Sequence, residues 1–196
     1  MGSERAWNRV FRILWESAGR SSTAGFVGTK TFRAMFGKGG GSEGVDETLG
    51  RNMFGPVRGE WLDDSWKGWW GDNPPYHAPT FVLTHHARKP IVMEGGTTFH
   101  FVTDGIRAAL ERAHDAAGAR DVKIGGGVST VRQYLQAGPI NELHFAFSPV
   151  LLGRGEAMFE GLDLPVLGYR VMESTATDLA THVVVGRQAN DQPRNL

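Results

Sequence analysis

The stretch DVKIGGGVSTVRQYL, residues 121–135, decides how the rest of the chain is read. Asp121–Ile124 predicts a strand, Gly125–Gly127 a turn, and Ser129–Ala137 a helix that ends near Gly138. Glycine has no Cβ, so backbone at such a turn approaches a ligand closely. The first N–H groups of a helix have no partner within it and favour an anion such as a pyrophosphate. Ser129 and Thr130 stand in that first turn. A tight strand-to-helix turn with no ligand is the competing reading. The glycine spacing is not the Rossmann fingerprint.

Outward from this stretch the pattern alternates. Upstream, Thr80–Thr84 (TFVLT) and Thr98–Thr103 (TFHFVT) predict strands. Asp104 stands at a cap position before a helix over Gly105–Ala117, which places Ile106, Leu110, Ala113 and Ala117 on one face. Downstream, Asn141–Leu152 predicts a long strand, and Tyr169–Ser174 with His182–Gly186 a terminal antiparallel pair. Strand, helix, strand, helix, strand is the rhythm of an α/β sheet.

The N-terminal part reads differently. Trp7, Val10, Phe11, Leu14, Trp15 and Ala18 share one helical face, so residues 4–18 predict an amphipathic helix. Residues 20–27 read as a link, Thr29–Phe36 (TKTFRAMF) as a short helix and Gly37–Gly44 as a flexible loop. Residues 51–55 form a helical turn. Residues 59–79 hold Trp61, Trp66, Trp69 and Trp70 among Gly, Asp and Pro, an aromatic-rich ordered loop.

Composition sets the outer limits. The chain has 196 residues, 27 glycines, no cysteine, and 21 Lys plus Arg against 21 Asp plus Glu. A zero charge balance argues against a nucleic-acid partner, which a basic excess would attract. No apolar run approaches the roughly 18 residues of a membrane span, and no signal peptide is read, so a cytoplasmic location is expected. Zero cysteine excludes disulfides and cysteine-ligated metals. His77, His85 and His86 lack a carboxylate at ligand spacing, so no metal is expected.

Other constellations are weaker. Gly39, Gly41 and Gly44 make a literal G-x-G-x-x-G with no convincing strand before it, a chance match. His85, His86, Arg88 and Lys89 follow the TFVLT strand, where a basic cluster suits a phosphate and a solvated loop is the plainer reading. No G-x-S-x-G elbow marks a hydrolase.

Together these pieces resemble the dihydrofolate reductase-like family, in particular the C-terminal reductase domain of the bacterial riboflavin-pathway deaminase–reductase. The stretches that carry it are GRNMFG (50–55), FVLTHH (81–86), EGGTTFHFV (94–102), VKIGGGVSTVRQYL (122–135) and NELHFAFSPVLLGRGEAMF (141–159). The resemblance implies an α/β fold: a mixed, mostly parallel sheet flanked by helices, with an antiparallel C-terminal strand pair and here an atypical N-terminal helix. The domains expected are a helical segment over 1–26, the reductase-like domain over 27–187 and a polar tail over 188–196. It implies NADPH as cofactor, a homodimer and a small heterocyclic substrate of pteridine, pyrimidine or riboflavin-precursor type. The activity of that group is 5-amino-6-(5-phosphoribosylamino)uracil reductase, in riboflavin biosynthesis.

By position, the resemblance sets Gly50, Arg51 and Asn52 beside the cofactor phosphates. Thr84 and His85 fall at the adenosine 2′-phosphate. Gly125, Gly126, Gly127, Val128, Ser129 and Thr130 fall along the pyrophosphate and nicotinamide, with a cis peptide expected at Gly125–Gly126. No catalytic residue follows: Asp63, Asp64 and Asp72 are available acids in a solvated loop. Trp66, Trp69, Trp70 and Tyr76 either wall a substrate pocket or cover the core beneath their loop.

The sequence departs from the family twice. No S-[LM]-D-G strand opens the chain, and only Val45–Leu49, short and acidic, precedes Gly50. Two strands are therefore expected to be short or missing. A non-catalytic nucleotide binder or an assembly protein of the same fold is the alternative function.

Overall fold

The computed structural model describes residues 32–35, 46–56, 58–147, 155–178 and 180–187. The strands are β1 (Phe32–Met35), β2 (Asp46–Gly50), β3 (Pro79–Leu83), β4 (Ile91–Val92), β5 (Thr98–Val102), β6 (Val122–Ile124), β7 (Glu142–Phe147), β8 (Tyr169–Ala176) and β9 (Thr181–Arg187). The helices are α1 (Arg51–Phe54), α2 (Gly105–Ala117) and α3 (Val128–Ala137). All nine strands join one sheet in the order β4-β5-β3-β2-β6-β1-β7-β9-β8. The run from β5 to β7 is parallel. Antiparallel β4 borders one end and β9 with β8 the other. This is the mixed, mostly parallel sheet with an antiparallel C-terminal pair that the sequence implies.

Burial explains the central strands. Thr80, Phe81 and Val82 of β3 are all buried, as expected where both faces of a parallel sheet are covered. The small Ala109, Ala113 and Ala117 let α2 lie close against Phe81, Val102 and Val122. Val131, Tyr134 and Leu135 set α3 against Ile124, Ile140 and Leu143. Gly138, at φ 81°, ends α3, its N–H reaching the carbonyls of Tyr134 and Leu135, a left-handed position that suits glycine. A second core of Leu49, Phe54, Tyr76, Val82, Met93 and Phe99 is covered by the tryptophan loop.

Two expectations are corrected. Within the stretch expected as a short helix, Phe32–Met35 is a strand between β6 and β7. Its local sequence tolerates a helix, but two parallel neighbours supply backbone partners from both sides, and tertiary pairing overrides propensity. The acidic run before Gly50 is also a central strand, paired to β3 and β6. Its charge is met within the sheet, because Glu47 Oε2 lies 3.6 Å from Lys123 Nζ on β6. Thr48 shares a hydrogen bond of 3.3 Å with the Tyr134 hydroxyl. The two strands are short, at four and five residues, as expected, but both take central places in the sheet.

The helix read over 4–18, the link over 20–27, the loop over 37–44 and the tail over 188–196 lie outside the described residues. The long strand read over 141–152 is described as far as Phe147. Among the described residues no helix is long and apolar enough to cross a membrane.

Candidate functional site

The candidate site forms at the carboxyl ends of the parallel strands, where two glycine turns meet. The Gly125 N–H donates to the Thr48 carbonyl at 2.7 Å, and the Gly50 N–H donates to the Gly126 carbonyl at 2.9 Å. The turn after β2 is thereby tied to the turn after β6. The cis peptide lies at Gly126–Gly127, not at Gly125–Gly126. β6 ends at Ile124, as the sequence expects, and the Gly125 N–H still reaches β2.

The glycines differ in what surrounds them. A Cβ on Gly50 would collide with Thr130 Oγ1, and one on Gly125 with Glu47 Oε1. A Cβ on Gly127 would meet nothing within 4 Å. Gly127 is the N-cap of α3 and makes no side-chain capping bond. Its carbonyl accepts the first helical bond, from the Val131 N–H at 3.1 Å. Val128 is half-buried and Ser129 exposed, whereas Thr130 is buried with its hydroxyl against Gly50.

Beside these turns stands a group of cations. Arg51, the first residue of α1, donates from Nη1 to Thr84 Oγ1 at 3.1 Å. The same oxygen accepts the His86 N–H at 3.1 Å. The Arg51 guanidinium lies 3.3 Å from the centroid of the Trp61 ring, and that of Arg88 lies 4.7 Å from it. Trp61 is fixed by its indole N–H, which donates to the His86 carbonyl at 2.9 Å. Ring faces attract such cations by about 0.5–2 kcal/mol.

Neither guanidinium is satisfied. Arg51 Nε and Nη2 and Arg88 Nη1 and Nη2 are buried without a hydrogen-bond partner. The Arg88 side chain is only 3% exposed, and Asp64, 3.3 Å from its Nε, lies in solvent. Burial first, then Arg88 and Arg58, hold the Arg51 pKa below its ordinary value. Two like charges with four orphaned donors form an arrangement that an anion of several oxygens would neutralise. Arg88 is therefore not the solvated loop residue of the plainer sequence reading. Neither its burial nor the part of Trp61 was legible, since both depend on a contact between residues 27 apart in sequence, with β3 between them. Asn52 and His85 are exposed at the edge of this group.

The aromatic residues are placed as follows. Trp66 donates its indole N–H to the Phe54 carbonyl at 3.1 Å. Trp70 stacks on Phe99 at 5.9 Å and meets the edge of Tyr76 at 5.0 Å. Trp66, Trp70 and buried Tyr76 all pack on the second core. Trp69 meets Trp66 edge-on at 4.8 Å and is 56% exposed.

Sheet order and glycine turns define a mixed-sheet α/β domain whose candidate site lies at the carboxyl ends of its parallel strands. Comparison with known families then narrows the class. The chain belongs to the RibD C-terminal domain family, the reductase domain of the riboflavin pathway: the family's sequence model matches residues 48–185. Among solved structures, a putative riboflavin biosynthesis protein from Shewanella sp. PV-4 is similar at 22% identity and a TM-score of 0.48, over 74% of each chain. A diaminohydroxyphosphoribosylaminopyrimidine deaminase/5-amino-6-(5-phosphoribosylamino)uracil reductase from Thermotoga maritima is similar at 14% identity and a TM-score of 0.48. That match covers 75% of this chain and 46% of the other, so this chain spans under half of that protein. No curated protein matches the sequence.

Proposed function

We propose that the chain is an NADPH-dependent reductase acting on a small heterocycle of pteridine, pyrimidine or riboflavin-precursor type. The observation that carries this reading is the set of four buried, unpartnered guanidinium nitrogens of Arg51 and Arg88 beside Thr84. A dianionic 2′-phosphate offers the oxygens that such a fork takes in pairs. The second support is the uncapped start of α3 behind an open Gly127, which suits a pyrophosphate. The residues present therefore fit the cofactor. Arg51, Arg88 and Thr84 would hold the 2′-phosphate, with Asn52 and His85 at its rim. Gly126, Gly127, Val128 and Ser129 would line the pyrophosphate, with Gly50, Gly125 and Thr130 locking the turns beneath. When bound, the cofactor supplies a hydride, and the protein supplies the alignment of donor and acceptor.

Trp69 has the ring most open to a flat substrate, with Trp66 edge-on against it, while Trp70 and Tyr76 pack on Phe99. A homodimer through the C-terminal strands is part of this reading. Edge strand β8 is exposed at Val171 (64%) and Met172 (63%).

NADPH and NADH titrations followed by fluorescence test the reading, with turnover screened on pteridines, pyrimidines and flavin precursors. NADPH is expected to bind well ahead of NADH, and Arg51→Met with Arg88→Met to erase that preference. No NADPH binding at millimolar concentration overturns the reading. Binding without turnover of any substrate favours the non-catalytic alternative.

A further inference from the structure

The tryptophans that cover the second core are not equivalent. Trp61, Trp66 and Trp70 all pack on it. Among the described residues, only Trp61 of the three also lies against cations, with the guanidiniums of Arg51 and Arg88 at 3.3 and 4.7 Å from its ring centroid. Three contacts fix the plane of that ring. Phe54 of α1 and Phe101 of β5 cross it at 83° and 72°, with centroids 5.9 and 5.1 Å away. The indole N–H donates to the His86 carbonyl. From there the contacts close on themselves. The His86 N–H donates to Thr84 Oγ1, Arg51 donates to the same oxygen, and Arg51 returns to the face of Trp61.

A ring that merely covers a core has no use for such an arrangement. Two buried like charges repel. Left alone, each guanidinium would turn its free donors to solvent or to the nearest acceptor. For Arg88 that acceptor is Asp64, already 3.3 Å from Nε. The negative face of an indole holds a cation without using any of its N–H groups. Four buried guanidinium nitrogens are left over in this way. Donors held in place before the ligand arrives cost less to order when it binds. We propose that Trp61 sets the cofactor preference of this site, holding Arg51 and Arg88 so that both forks meet one phosphate dianion; the role rests on the reductase reading. Trp61 is a positioning residue, acting through the two arginines. Among aromatic faces indole attracts a cation most strongly, so phenylalanine keeps part of the effect and an aliphatic side chain none.

The test titrates wild type, Trp61→Leu, Trp61→Phe and Met93→Ala with NADPH and with NADH, followed by the fluorescence of the reduced nicotinamide. The quantity read is the ratio of the two affinities. Met93→Ala opens the same core without removing the ring. Trp61→Leu is expected to lose about tenfold in NADPH affinity while NADH changes by less than about twofold. Trp61→Phe should fall between it and wild type. Met93→Ala should lower the urea midpoint and keep the wild-type ratio. A ring with a structural role alone would weaken both cofactors together. Trp61→Leu with the wild-type ratio therefore overturns the proposal, and so does loss of the ratio in Met93→Ala. Should Trp61→Leu fail to fold, an undiminished ratio in Trp61→Phe overturns it. Each of these results leaves the reductase reading standing. A wild type that binds no NADPH, or that does not prefer it, removes both.

Discussion

The two turns at the carboxyl edge contain the same residue type for opposite reasons. At the end of β2, Gly50 is glycine because Thr130 leaves no room for a side chain. At the start of α3, Gly127 is glycine in open space, where no neighbour demands it. The first is fixed by packing and belongs to the fold. The second is free on its outer side and belongs to whatever approaches it. A glycine-rich sequence is thus informative only after each glycine has been asked what excludes its Cβ.

The largest effect is expected where the packed turn reaches the ligand through a side chain. Arg51→Met should weaken NADPH by about 10- to 100-fold, the loss of charge-assisted bonds of about 1.5–3 kcal/mol. NADH affinity should hardly change, and titration of both cofactors checks it. An equal loss for both would mean that Arg51 serves the turn rather than a phosphate.

Next comes Gly50→Ala. Overpacking against Thr130 should cost about 1–3 kcal/mol in urea unfolding. Adding Thr130→Ala should restore part of it. An unaffected midpoint would break the contrast between the turns.

Gly127→Ala should behave in reverse. Stability should stay within about 0.5 kcal/mol, as at an unpacked site. NADPH affinity should fall about tenfold, about 1.4 kcal/mol, if backbone there meets the pyrophosphate. Loss of stability with unchanged affinity would make this turn structural too.

The smallest effect is a pH slope. The folded Glu47 carboxyl lies above its unfolded value, so the folded state binds this proton more tightly. Its contribution to stability is therefore complete at low pH and lost as pH rises from the ordinary carboxylate range through the raised folded value. Glu47→Gln should flatten that part of the curve of unfolding free energy against pH.

Most of the sheet was legible because burial leaves a local trace. TFVLT, TFHFVT and the Ile106–Ala117 face each announce their element within a few residues. β1 and β2 leave no such trace. Phe32–Met35 is made a strand by neighbours at Val122 and Glu142, and Glu47 is tolerated in mid-sheet by a lysine on another strand. The candidate site divides in the same way. Gly50, Arg51, Thr84 and the Gly125–Gly127 run were readable from the family's stretches. The donors left over on Arg88, and the Trp61 ring beneath them, emerge only when the loop is folded. A run of three glycines does not say which peptide in it is cis, so the sequence alone leaves Gly126–Gly127 unmarked.

The place of β1 has a consequence for synthesis of the chain. Phe32 pairs with Val122, 90 residues later, and Arg33 with Glu142 later still. At roughly 5–20 residues per second, a ribosome leaves this central strand without either neighbour for about 5–20 s. The middle of the sheet therefore stays open until β6 and β7 are made, and only the β8–β9 edge is added after it. A nascent chain waiting with that gap open is a natural client for a chaperone that shields unpaired strand.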